Sequence, residues 1–112
     1  MLPKKNRISR KDFPSHNTKG FRVFSPYFSA VFYKTEAKDC RASVVVSKKT
    51  SRTAVDRNTL RRRFYDLIAS YFKETPSPIT VVVYPKIEAK KITFLALKSE
   101  IERAFRQAKI IK

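Results

Sequence analysis

The sequence predicts an α+β fold, an αββαβα-type sandwich with helices packed on one small central sheet. Three observations predict it. Three short stretches are rich in aromatic and β-branched residues. Two longer stretches carry apolar residues at helical spacing. Their order is strand, strand, helix, strand, helix, with a weaker helical signal ahead of them, which suits helices layered on a sheet. The 112 residues suffice for one domain, 1–112, and not for two ordinary cores.

The elements follow in chain order. Ser9 and Asp12 have capping-box spacing, and Gly20, the one glycine, is a suitable helix stop. Pro14 lies between them and would cost about 3 kcal/mol at a truly interior position, so the first helix is expected to be short or distorted. "YFSAVFYKT", Tyr27 to Thr35, reads as a strand. Its alternation puts Phe28, Ala30 and Phe32 on one face and Tyr27, Ser29, Val31 and Tyr33 on the other. "EAKD" reads as a hairpin loop before a second strand, Arg41 to about Lys48. Thr53 and Asp56 again have capping-box spacing, so the next helix starts near Ala54. Its apolar stripe is Leu60, Phe64, Leu67, Ile68 and Tyr71. "ITVVVY", Ile79 to Tyr84, is the third strand, bounded by "TPSP" and Pro85. Its unbroken apolar run implies cover on at least one face. The last helix begins after Thr93 and offers Phe94, Leu97, Ile101, Ala104, Phe105 and Ala108 to the core.

Charge narrows the function. Against 26 lysines and arginines stand 9 acidic residues, a net charge of +17. Such an excess strains a compact chain by self-repulsion, and a polyanionic partner explains it, nucleic acid ahead of an anionic membrane surface. With 42% hydrophobic residues the chain can still build a core. No apolar run is long enough for a membrane span, and the basic start "MLPKKNRISRKDF" lacks the apolar region of a secretory signal. A cytoplasmic location is therefore expected. One cysteine, Cys40, gives neither an internal disulfide nor a multi-cysteine zinc site.

The inventory for catalysis is thin. His16 is the only histidine, in a polar stretch, and Glu100 and Glu102 are two apart on a helix and do not face each other. No catalytic residue and no metal ligand is assigned. For binding, "SKKTSRTAVDRNTLRRR" gathers Lys48, Lys49, Arg52, Arg57, Arg61 and Arg62 on a strand end, a loop and a helix. Lysine meets phosphate as a point charge, and arginine adds a planar fork that bridges two oxygens. Asn58 adds a neutral donor and acceptor. At about 100° per residue, Arg62 and Asn58 lie opposite the stripe, Arg61 and Arg63 flank it, and Arg57 falls near it. Tyr27 and Tyr33 would suit stacking of unpaired bases if their sheet face is open.

The segment "SVVVSKKTSRTAVDRNTLRRRF" resembles the signature of the bacterial ribonuclease P protein component. The matching positions are Ser47, Lys48, Lys49, Ala54, Arg57, Asn58, Arg61 and Arg62. "LPKKNRISRKDF", "SPYF", "ITVVVYPK" and "LKSEIERAFRQAKIIK" extend the resemblance over essentially the whole chain. It departs at Thr59, where the family's Arg-Asn-Arg triplet has its second arginine, at Tyr65, where a basic residue is usual, and at Asn17, where a second aromatic follows Phe13. The resemblance implies a left-handed strand-helix-strand crossover and an arginine-bearing helix docked on a catalytic RNA subunit. It also implies a cleft for the single-stranded 5′ leader of precursor tRNA, to which Phe13, Tyr27 and Tyr33 are assigned. Mg²⁺ would be held mainly by the RNA, which performs the hydrolysis, and no obligate protein partner is evident. A structural RNA-binding protein of the ribosome is the alternative that composition leaves open.

Overall fold

The structure is a computed structural model that describes residues 20–34, 40–73 and 79–108. The expected first helix, with Phe13, His16 and Asn17, and the "EAKD" and "TPSP" loops lie outside the described residues. Four strands, β1 (Phe21–Phe24), β2 (Phe28–Lys34), β3 (Arg41–Val44) and β4 (Ile79–Pro85), form one sheet in the order β1-β2-β4-β3. β1, β2 and β4 pair antiparallel, and β3 runs parallel to β4. Helix α1 (Ala54–Phe72) joins β3 to β4, and a 3-10 turn (Ile87–Lys90) leads into α2 (Phe94–Gln107). This is an α+β architecture with a mixed sheet.

Both helix starts lie where their caps predict. The Thr53 hydroxyl accepts from the Asp56 N–H at 3.1 Å, and that of Thr93 from the Ala96 N–H at 3.2 Å. α1 buries Leu60, Phe64, Tyr65, Leu67, Ile68 and Tyr71, the expected stripe plus one tyrosine. α2 buries Leu97, Ile101, Ala104 and Phe105. Phe94 departs from expectation and is half-exposed, because as the first helical residue it lies at the margin of the packed face.

These stripes meet Phe28, Ala30 and Phe32 of β2, Ala42 and Val44 of β3, and Val81 and Val83 of β4. Phe28 packs edge-on to Phe64, with centroids 5.7 Å apart. Phe32 meets Phe105 in the same way at 5.1 Å. Such pairs contribute about 0.5–1.5 kcal/mol each beyond the area they bury.

Three strand features differ from the sequence reading. β1 has no counterpart in it. Only Val23 of its four residues is buried, so the stretch carries little apolar alternation of its own. β3 is shorter than expected, since the chain turns at Ser47, whose carbonyl accepts from the N–H groups of Thr50 and Ser51. Tyr27 precedes β2 in a bend and packs half-buried against the core, so it does not share the face of Tyr33.

β3 is an edge strand whose outward Val44 N–H needs a partner. The Tyr65 hydroxyl accepts it at 3.1 Å, in a buried contact. Tyr65, the departure from the family's basic residue, therefore closes a sheet edge. Tyr65→Phe is expected to lower the unfolding free energy by about 1–3 kcal/mol, the cost of a buried donor left unpaired. Urea denaturation checks this, and a loss below about 0.5 kcal/mol would contradict the role.

Candidate nucleic-acid interface

The basic segment starts on a turn fixed from beneath. The Thr50 hydroxyl donates to the Pro85 carbonyl at 3.2 Å and lies 3.1 Å from the Ser47 hydroxyl. Thr50 and Ser51 are buried, so the turn is tied to the end of β4 while Lys48 and Lys49 stand exposed at its tip. Arg52 is exposed just beyond, where the chain enters α1.

On α1 the exposure follows the helical wheel. Asn58 and Arg62 are exposed, and Arg61 and Arg63 are half-buried at the flanks. Two members of the set also do structural work. One Arg57 terminal nitrogen donates to the carbonyls of Ser51 at 3.0 Å and Arg52 at 2.9 Å. Arg57 thus folds back to brace the loop carrying Arg52, which is how a residue near the apolar stripe keeps its charge satisfied. Arg61 donates to the Asn58 side-chain oxygen at 2.7 Å, which fixes both side chains on one surface.

The electrostatics run against the helix's own stability. The positive end of α1 carries Asp56 as its one first-turn acid, and no basic residue occupies its last turn. Its arginines gather in the first half instead. Both arginines of α2 are balanced, with Arg103 3.1 Å from Glu100 and Arg106 3.3 Å from Glu102. A surface that breaks local charge rules in one place, with cations facing solvent, is suited to a polyanion.

The sheet face away from α1 and α2 carries a second group. By register, Arg22 and Phe24 of β1, Ser29, Val31 and Tyr33 of β2, Thr80, Val82 and Tyr84 of β4, and Arg41 and Ser43 of β3 share it. It is not an open platform. Val31, Thr80 and Val82 are buried, which accounts for the unbroken apolar run of β4. The accessible groups lie around them: Tyr33 is half-buried, Tyr84 is 39% exposed, and Phe24 and Arg22 are exposed.

Gly20 stands one position beyond the Phe21–Phe32 pair, opposite Tyr33. A Cβ there would come within 2.7 Å of both the Tyr33 ring and the Val31 side chain. The ring lies where that side chain would be, so the sole glycine is required by space. Partial burial raises the pKa of the Tyr84 phenol, Tyr33 adds to the rise and Arg22 opposes it, so Tyr84 remains a neutral hydroxyl at physiological pH. The sequence reading passed over Tyr84, although alternation in "ITVVVY" puts it opposite Val81 and Val83.

Among the described residues no three His, Cys, Asp or Glu side chains gather as a metal site, and no helix is long and apolar enough to cross a membrane. Residues 2–109 match the family model described as ribonuclease P. The ribonuclease P protein component of a Pseudanabaena species is 28% identical over 113 residues, covering 99% of this chain and 97% of that one. That of a Prochlorococcus marinus strain is 35% identical over 74 residues, 64% of this chain and 58% of that one. Among solved structures, the RNase P protein of Staphylococcus aureus superposes with a TM-score of 0.80 at 25% identity, covering 96% of this chain and 98% of that one. The RNase P protein of Thermotoga maritima shares the fold at a TM-score of 0.66 and 22% identity, over 84% of this chain and 86% of that one.

Proposed function

The chain belongs to the ribonuclease P protein family, and from that premise we propose that it is the protein subunit of a ribonuclease P that removes the 5′ leader of precursor tRNA. The observation that carries the assignment to this particular surface is the exposed row Lys48, Lys49, Arg52 and Arg62, set on a turn and helix start braced by Thr50 and Arg57. The row meets the backbone of the catalytic RNA, and Asn58 and Arg61, held together, form its other edge. Arg57 acts mainly through the loop that it braces.

The second sheet face receives the leader. Tyr33 and Tyr84 offer aromatic rings to unpaired bases, and Arg22 supplies a cation for the backbone. Phe13 joins them on the strength of the resemblance, whereas Tyr27 contributes from the core margin. Mg²⁺ belongs to the RNA in this reading. The protein lowers the metal requirement by neutralising phosphate repulsion, and no catalytic group is asked of it. The work is cytoplasmic, where precursor tRNA is made. The match over residues 2–109 favours this reading over a structural role in the ribosome.

Phe13→Ala and Tyr84→Ala are each expected to weaken binding of leader-bearing precursor by about 1–3 kcal/mol per lost stack while leaving mature tRNA binding nearly unchanged. Titration of the holoenzyme with precursor and mature tRNA checks this. Equal losses for both ligands would assign these rings to folding instead.

A further inference from the structure

A groove beside the basic row has no part in the reading above. One wall is a face of α1, Asp56, Thr59, Leu60 and Arg63, at spacing i, i+3, i+4 and i+7. The other wall brings in Lys90, the last residue of the 3-10 turn. The groove is open to solvent and has a volume of about 160 Å³. Leu60, buried in the core, forms the apolar floor.

Polar groups follow a fixed order along the helix wall. The Asp56 carboxylate comes first, then the Thr59 hydroxyl, then the Arg63 guanidinium, whose residue lies about 10 Å along the axis from Asp56 at 1.5 Å rise per residue. The Thr59 hydroxyl donates to the Val55 carbonyl at 3.0 Å, which keeps this short side chain against its own helix and the groove open. Among the described residues, the ion pairs on α2 involve none of Asp56, Arg63 and Lys90. Two cations from separate elements line this one concavity, with the Asp56 carboxylate as the anion on its helix wall.

Such a pair suits a phosphate, gripped by the arginine fork from one side and the lysine point charge from the other. The carboxylate at the far end repels a second phosphate and accepts from a hydroxyl or a base N–H. A nucleotide has this arrangement, an anion at one end and donors of sugar or base at the other. We infer that the groove between α1 and the 3-10 turn holds one nucleotide of the catalytic RNA. Its phosphate bridges Arg63 and Lys90, and its ribose hydroxyl or base edge donates to Asp56. This rests on the RNA-subunit reading and extends the RNA footprint from the solvent face of α1 around its side onto a second element. It also gives Thr59 a consequence, since a long basic side chain there would fill the groove.

The test titrates Arg63→Ala, Lys90→Ala, their double variant and Asp56→Ala against the cognate catalytic RNA at several salt concentrations. Lys98→Ala, on the exposed side of α2, is the charge control. Each cation variant is expected to weaken binding about tenfold and to lower the salt slope by about one. The double variant should be hardly weaker than either single one, because a single shared phosphate is lost once. Asp56→Ala should weaken binding although it removes a negative charge, against the tightening that general electrostatics requires. Additive losses no larger than that of Lys98→Ala, or tighter binding by Asp56→Ala, would overturn the shared site. Failure of the unaltered chain to bind the catalytic RNA would remove the subunit reading itself and this occupant with it.

Discussion

Phe64→Ala is expected to lower the unfolding free energy by about 3–5 kcal/mol, the range for truncating a fully buried aromatic side chain. Phe64 is 0% exposed and meets Phe28 edge-on, so its loss leaves a cavity at the joint between α1 and the sheet. Small domains are stable by about 5–15 kcal/mol, and the loss is a large share of that margin. The functional consequence comes through position, because α1 carries Arg57, Arg61 and Arg62 and its entry turn carries Lys48 and Lys49. Urea denaturation should show the midpoint falling with an unchanged slope. A loss below about 1 kcal/mol would mean that α1 presents a different face to the sheet.

The second large effect should leave the fold intact. In the triple variant Lys49→Ala, Arg52→Ala and Arg62→Ala, three exposed cations are removed from one surface. Binding to the catalytic RNA should weaken by about a hundredfold or more at low salt, and the salt slope should fall by about 2–3, near 0.9 per lost phosphate contact. The melting temperature should hold or rise slightly, since self-repulsion in a chain of net charge +17 is relieved. An unchanged slope would exclude these residues from the RNA interface. Phe64 and the basic row thus separate two contributions, one that builds the surface and one that uses it.

What the sequence made legible was local. Thr53 and Thr93 mark helix starts because a cap acts within three residues, and both bonds are present. The stripe of α1 and the inward face of β2 follow from periods of 3.6 and 2, which survive folding wherever one side is buried. The basic row was legible because its residues are neighbours in the chain.

What was not legible depends on partners distant in sequence. β1 exists through its register with β2 and buries only Val23. Tyr65 reads as a lost cation until Val44, 21 positions away, donates to it. Periodicity put Tyr27 beside Tyr33, but the bend before β2 breaks the alternation that reading relied on. The sequence assigns Arg57 to the RNA-binding set, and its bonds to two carbonyls add a bracing role that depends on how the loop folds. Lys90 reaches the side of α1 only because the 3-10 turn after β4 brings it there.

The most direct test of the central claim is reconstitution. The purified chain is mixed with its cognate ribonuclease P RNA at low Mg²⁺, and release of the 5′ leader from labelled precursor tRNA is followed. The account predicts cleavage at the mature 5′ end that requires both components and falls steeply with salt, about a thousandfold in RNA affinity between 50 and 200 mM for about six phosphate contacts. A folded protein that leaves the rate of the cognate RNA unchanged at low Mg²⁺ would contradict it.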